Sequence, residues 1–175
     1  MKIFNEKSKS VFYQKSNNVF LELKKNHIGF LKAKNSMLNK KSRICVHKNE
    51  NSKLHQMLIF HQKGAYVRPH KHLFRSELFF LIQGKLKVLI FNNKGNIKKL
   101  IEMSDFKNNE VFLYKMNKSI YHTFLIEKDC LFLETTSGPF NKKDSIYAKW
   151  SPEEKEYSEV KIFLKYLKKM CSKFE

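Results

Sequence analysis

The sequence predicts an all-β core, a small barrel or sandwich of short strands, with an N-terminal helical segment and a C-terminal helix. Three observations lead there. From Gly64 onward the chain is a succession of short apolar runs divided by turns: Ala65–His72, Glu77–Ile82, Leu86–Phe91, Ile97–Met103, Val111–Tyr114, Tyr121–Ile126 and Cys130–Thr136. Short strands at this spacing build sandwiches and barrels. Asn92-Asn93-Lys94-Gly95-Asn96 reads as a tight hairpin, because Asn and Gly accept the positive φ such turns need. No long helical period separates these runs, which argues against a parallel α/β sheet.

Taken in order, residues 1–16 are polar and basic, with Ile3, Phe4, Val11, Phe12 and Tyr13 as anchors for a short strand or arm. From Asn18 to Lys34, Val19, Leu21, Leu23, Ile28, Phe30 and Leu31 supply apolar positions, and Leu23, His27, Phe30, Leu31 and Lys34 follow helical spacing despite Gly29. RICVH (43–47) alternates, with Arg43, Cys45 and His47 on one face, and LHQMLIFH (54–61) puts His55, Met57 and Ile59 on one face. Near the end, Ser151-Pro152-Glu153-Glu154 has the form of a helix start, a capping residue followed by Pro and by Glu three positions on. Val160, Phe163, Leu164 and Leu167 then form an apolar stripe. The expected organisation is one domain: an arm and helix over 1–40, a β-barrel over 41–150 and a helix over 151–175.

Composition bounds the function. The chain of 175 residues is 42% hydrophobic with 16 Phe, enough for a real core. No apolar run reaches the roughly 18 residues of a membrane-spanning helix, and the start MKIFNEKSKSVFYQKS lacks a secretory h-region, so a cytoplasmic protein is expected. Cys45, Cys130 and Cys171 are scattered, as reduced thiols are, and match no zinc-finger spacing. The net charge of +19 is spread over the chain and accompanied by no nucleic-acid-binding motif. It therefore favours a small anionic ligand over nucleic acid as the partner.

The chemistry concentrates in GAYVRPHKHLFRSELFFLIQG, Gly64 to Gly84. On a strand, His70 and His72 point the same way, and Glu77 arrives from the following turn. Two imidazoles and a carboxylate suit a divalent metal such as Zn, Fe, Mn or Ni. His122, which opens the run Tyr121–Ile126, is the leading candidate for a fourth ligand on a neighbouring strand.

The spacing Gly64, five residues, His-X-His, four residues, Glu77, six residues, Gly84 matches the first cupin motif at every position. YVRPHKH at 66–72, the LIFNNKGNI hairpin, ETTSGPF at 134–140 and YAKWSPEE at 147–154 resemble the WbuC-family cupin-fold metalloproteins associated with bacterial surface-polysaccharide (O-antigen) biosynthesis. The resemblance covers about residues 17–155. It implies a double-stranded β-helix, with a divalent metal held by His70, His72, Glu77 and His122. The second cupin motif is degenerate: its usual Pro and Gly fall on Asn117 and Ser119 and its later Asn on Ile126.

Other residues are candidates for the cavity of such a barrel. Tyr66 and Arg68 share a face with His70 by strand alternation, and Arg68 suits bidentate binding of a carboxylate or phosphate. Arg43, His47, His55 and Gln56 lie close upstream, and Glu134 and Tyr121, or Tyr147, are candidate acids or bases. The expected activity is metal-dependent isomerisation or epimerisation of a sugar or nucleotide sugar. An Fe(II)-dependent oxygenase and a non-enzymatic binding module are the alternatives, and a homodimer formed through the sheets is the expected assembly.

Overall fold

The structure is a computed structural model and describes residues 4–15, 20–35, 40–107 and 110–174. Its strands run β1 (Phe4–Ser8), β2 (Val11–Gln14), β3 (Lys41–Cys45), β4 (Leu54–His61), β5 (His70–His72) and β6 (Glu77–Gln83). They continue with β7 (Lys85–Phe91), β8 (Ile97–Ser104), β9 (Leu113–Met116), β10 (Tyr121–Ile126), β11 (Cys130–Ser137) and β12 (Ser145–Tyr147). Two helices, α1 (Lys25–Ala33) and α2 (Tyr157–Cys171), flank them, and Lys142–Asp144 form a single 3-10 turn.

The strands form a seven-stranded sheet, β1-β2-β3-β4-β11-β6-β9, and a five-stranded sheet, β12-β5-β10-β7-β8. Pairing is antiparallel except between β2 and β3. Each sheet brings sequence-distant strands together: β11 lies between β4 and β6, and β10 between β5 and β7. The two sheets form a β-sandwich, and among the described residues they do not close into a barrel.

Each sheet also packs part of its outer face against a helix, which explains why strands such as β4 and β10 read as nearly continuous apolar runs. Between the sheets, Met57, Ile59, Phe79, Leu81, Val88, Phe124, Ile126 and Phe132 form the main core. Behind the larger sheet, Phe12, Leu31, Ile44, Leu58, Phe60 and Leu131 pack with α1. Behind the smaller one, Leu89, Phe91 and Leu125 pack with Leu167 and Cys171 of α2.

Gly84 joins β6 to β7 at φ +108, and a Cβ there would lie 2.3 Å from the Asp129 carbonyl oxygen. Only glycine fits both the dihedral and the close approach. In the hairpin after β7, the Asn96 carbonyl accepts from the Asn92 N–H at 3.0 Å and Gly95 sits at φ +87, as the sequence led us to expect.

Four sequence expectations need correction. The run Ala65–His72 is not one strand. Pro69 interrupts it and only His70–His72 pair regularly, with Tyr66 in an isolated bridge to Leu125. The strand placed at Val111–Tyr114 runs over Leu113–Met116, because Val111 bridges Met103 instead. The N-terminal helix starts at Lys25, where His27 Nδ1 accepts the Lys24 N–H at 2.8 Å. Its expected start at Asn18 and Val19, and the anchor Ile3, lie outside the described residues. Finally, Ser151 does not cap the last helix. Its hydroxyl donates to the Ala148 carbonyl at 2.9 Å, and the helix begins six residues later at Tyr157.

Candidate metal centre

Strand alternation decides which side chains reach the space between the sheets. On β5, His70 and His72 point inward. On β10, His122 and Phe124 do so, and direct pairing of His122 with His70 sets the two imidazoles side by side, their ring centroids 4.5 Å apart. Glu77, the first residue of β6, arrives from the facing sheet. Ligand atoms of His70, Glu77 and His122 all lie within 4.8 Å of one another. The group therefore bridges the two sheets.

The chemistry of this donor set fits a divalent cation. His70 Nδ1 lies 2.8 Å from the Arg68 carbonyl and His122 Nδ1 3.1 Å from the Ile120 carbonyl. A carbonyl only accepts, so each ring carries its proton on Nδ1 and keeps a lone pair on Nε2, the tautomer a metal ligand needs. Glu77 is 5% exposed, and its Oε2 has no hydrogen-bond partner although His122 Nε2 lies 3.3 Å away. Two lone pairs facing each other in a dry site call for a shared electrophile, a proton or a cation.

Burial pushes the Glu77 carboxyl up from its ordinary value, against the pull of His70 and Arg75. It holds His122 well below the usual imidazole range and lowers His70 as well. The imidazoles are thus neutral and available.

His72 stands differently. Its Nε2 is 3.0 Å from Glu77 Oε1, yet it is not part of the three-residue group. Its Nδ1 lies 3.0 Å from Arg75 Nη2, 3.1 Å from Ser145 Oγ and 3.5 Å from Asp144 Oδ2. Burial first, and Arg75 next, lower His72 to about 4.

The group sits on the wall of a cavity of about 650 Å³ between the sheets. Arg43, Cys45 and His47 line it from the β3 segment, as do His55, Met57 and Ile59 from β4 and Phe132, Glu134 and Thr136 from β11. The inward faces expected from RICVH and LHQMLIFH are therefore present. Glu134 opens onto this space, and burial together with the nearby Glu77 charge pushes its carboxyl up, while Arg43 pulls it down. His47 stacks on His55 at 4.0 Å and 10°, and takes the Gln56 N–H on its Nδ1. Tyr147 and Phe140 line the cavity at its exposed rim, with Tyr147 6.0 Å from His70.

Several expected site residues point elsewhere. Tyr121 is next to His122 on β10, so alternation turns it outward against Trp150, with Lys71 over its ring. Tyr66 donates to the Pro152 carbonyl at 2.9 Å and packs on Phe163. Arg68 reaches Ser151 and Glu153 at 3.5–3.8 Å and lies over the Tyr147 ring. The strand alternation invoked for Tyr66 and Arg68 fails because the regular strand starts only after Pro69. Gln56 contributes its backbone to His47, and its side chain is not among those lining the cavity.

Sequence reading missed Arg75, Asp144 and Ser145, which surround His72. Arg75 is visible three residues after His72, but its partners come from about seventy positions downstream. No periodicity announces them.

Ser119, standing where the cupin motif has Gly, adopts φ +67, and its N–H donates to the His72 carbonyl at 2.6 Å.

A family model described as a domain of unknown function, DUF6016, matches residues 30–103. No curated protein matches the sequence. Among solved structures, the chain is similar to a protein from Shewanella oneidensis (12% identity, TM-score 0.45, covering 58% of this chain and 66% of that one). It is also similar to a cupin-2 domain containing protein from Shewanella frigidimarina (13%, TM-score 0.43, 55% and 80%) and to KdgF from Halomonas sp. (17%, TM-score 0.44, 62% and 86%). The chain thus spans just under two thirds of the first of these.

Proposed function

We propose that this protein binds a divalent metal ion through His70, Glu77 and His122 and uses it to hold a small anionic oxygen ligand in the cavity between the sheets. One observation carries the reading: the buried Glu77 and His122 and the half-buried His70, from two facing sheets, converge on the wall of a cavity of about 650 Å³. That volume suits a metabolite-sized molecule. A bound cation would supply Lewis-acid polarisation of a ligand oxygen.

The chain's own residues define the rest. Arg43, an exposed residue of β3 that lines the cavity, offers its guanidinium to a carboxylate or phosphate. Glu134, whose carboxyl is pushed up by burial and by Glu77, is poised to take or give a proton within the same space. Tyr147 and Phe140 at the rim offer aromatic faces to a ring. This combination suits proton transfer on a sugar, an isomerisation or epimerisation. The resemblance of YVRPHKH and ETTSGPF to a surface-polysaccharide family favours a sugar or nucleotide sugar as ligand.

Metal content by mass spectrometry tests the centre. Purified protein is expected to take up one divalent ion per chain, and the His70→Ala, His122→Ala double variant none. Stoichiometric metal in that variant, with a native circular dichroism spectrum, refutes the ligand assignment. Calorimetric titration with sugar phosphates tests the ligand. Arg43→Met should weaken binding by about 10–100-fold, the loss of a charge-assisted pair of roughly 1.5–3 kcal/mol, and unchanged affinity removes Arg43 from the site.

A further inference from the structure

We propose that the outer side of α2 is a docking surface for an anionic lipid membrane. The proposal goes beyond the metal reading and does not depend on it. It starts from a repeat in the sequence. A lysine followed by an apolar residue recurs every four positions, as Lys161-Ile162, Lys165-Tyr166, Lys169-Met170 and Lys173-Phe174. On a helix, residues four apart line up as a continuous ridge. The repeat therefore draws two ridges side by side, one cationic and one apolar. They run along α2 and past its end, where Ser172 keeps helical dihedrals (φ −62, ψ −9).

The helix packs through a different face. Val160, Leu167 and Cys171 are buried, and the helix meets Leu89, Phe91 and Leu125 on the back of the smaller sheet. Ile162 lies about 200° round the helix from Val160. It is 62% exposed, with Tyr166 at 50% and Phe174 at 48%. All four lysines are exposed, and Glu159 in the first turn is the one carboxylate of the helix. Phe174 shares a surface groove with Lys98, Lys99 and Leu100, which carries the same mixture of charge and apolar surface onto β8.

The chemistry selects the partner. Lysines alone would serve any polyanion, a nucleic acid included. The exposed Ile162 and the neighbouring Met170 gain nothing from a phosphate backbone. An anionic membrane meets both ridges in one plane: its headgroups attract the ammonium groups, while Ile162, Tyr166 and Phe174 enter the boundary between headgroups and acyl chains. The lysine stems are long enough to leave the charge at headgroup level as their apolar neighbours sink. The ridges lie behind the smaller sheet and the cavity lies in front of it, so docking and the metal site occupy separate surfaces.

Co-sedimentation of the full chain with large unilamellar vesicles tests the proposal. The protein should bind vesicles containing one-third phosphatidylglycerol and ignore pure phosphatidylcholine. Replacing Lys161, Lys165, Lys169 and Lys173 with Gln should weaken binding by about 100-fold or more, since each lysine near an anionic surface is worth about 5-fold. The double variant Ile162→Ser, Tyr166→Ser should lose about 10–30-fold. A control with the exposed Lys9, Lys48, Lys53 and Lys63 replaced by Gln has the same net charge as the first variant. It should bind within about 3-fold of wild type, because those charges are screened from the membrane. Circular dichroism checks that each variant keeps the native spectrum.

Equal losses in the two lysine variants would show that overall charge, and not the ridges, drives binding, and would overturn the proposal. Unchanged binding of the Ile162, Tyr166 variant overturns it too, as does a wild type that ignores phosphatidylglycerol vesicles. Tighter binding to a DNA duplex than to the vesicles assigns the surface to nucleic acid instead.

Discussion

Replacing Glu77 with Gln should stabilise the metal-free protein and abolish its response to metal. Glu77 is 5% exposed, with Oε1 3.0 Å from His72 Nε2 and Oε2 3.3 Å from His122 Nε2. Its folded-state pKa is raised by burial, so the folded protein favours the protonated acid. The sign follows: stability tied to this group is present below the ordinary carboxylate value and is lost as pH rises through the raised one.

At pH 8 without metal the wild type must hold a buried carboxylate whose Oε2 has no hydrogen-bond partner, a cost of about 1–3 kcal/mol. Gln removes that charge and keeps the shape, with one end of its amide toward His72 Nε2 and the NH2 toward the His122 lone pair. At about 2.1 cal/mol/K per residue, the 175 residues unfold with an entropy near 0.37 kcal/mol/K. The gain is then about 3–8 °C in Tm. Wild-type protein with metal at about 100 times Kd should gain about 2.7 kcal/mol, roughly 7 °C, and Glu77→Gln nothing. Thermal unfolding at pH 8 in chelator and in Mn(II) or Zn(II) reads both effects. A variant less stable than wild type in chelator would mean the carboxylate is already well paired, and a preserved metal shift would remove Glu77 from the centre.

Further outcomes follow from the same geometry. Ser119→Gly relieves a left-handed serine and should raise stability by about 1 kcal/mol, near 3 °C in thermal unfolding. Gly84→Ala drives a methyl group to 2.3 Å from the Asp129 oxygen and should cost at least about 2 kcal/mol, read by urea titration. Burial lowers His61 to about 3, so the unfolded chain takes up its proton first and stability falls as pH drops from 6.5 toward 3. His61→Phe should flatten that acid limb by up to about 1.4 kcal/mol per pH unit, measured as the midpoint of urea unfolding against pH.

How far the molecule was legible differs between strands for physical reasons. On β10, alternation alone is decisive: if His122 faces inward, Tyr121 cannot, and weighing the two together would have removed Tyr121 from the acid–base candidates. The same rule misled at Tyr66 and Arg68, because alternation holds only where a strand is regular and Pro69 withdraws a donor from the ladder. The Ser151 signal was sound chemistry in the wrong place. A serine hydroxyl competes for any nearby carbonyl, and Ala148 offers one three residues back. At Ser119 the sequence has a side chain where the cupin motif has Gly, yet the backbone takes φ +67 and the Ser119 N–H reaches the His72 carbonyl. The grouping of Arg75, Asp144 and Ser145 around His72 had no local signal, because it exists only once β12 pairs with β5.

The net charge of +19 invites the idea of a basic binding site, and the cavity argues otherwise. Lys41, Arg43, Arg75 and Lys142 line it, but so do Glu50, Glu77, Glu134 and Glu154. Two of those cations are already engaged, Lys41 with Glu154 at 2.6 Å and Arg75 with Asp144 at 2.8 Å. The positive excess therefore lies outside the site. There it acts over distances comparable to the Debye length, about 8 Å at physiological salt, and speeds the arrival of anions rather than holding them. On the function proposed above, selectivity falls to a few groups at short range: His70, Glu77 and His122, Arg43 and Glu134. Raising ionic strength should accordingly slow association of an anionic ligand in stopped-flow measurements while changing its dissociation rate little. Equal salt sensitivity of both rates would show that the surface charge takes part in the bound state.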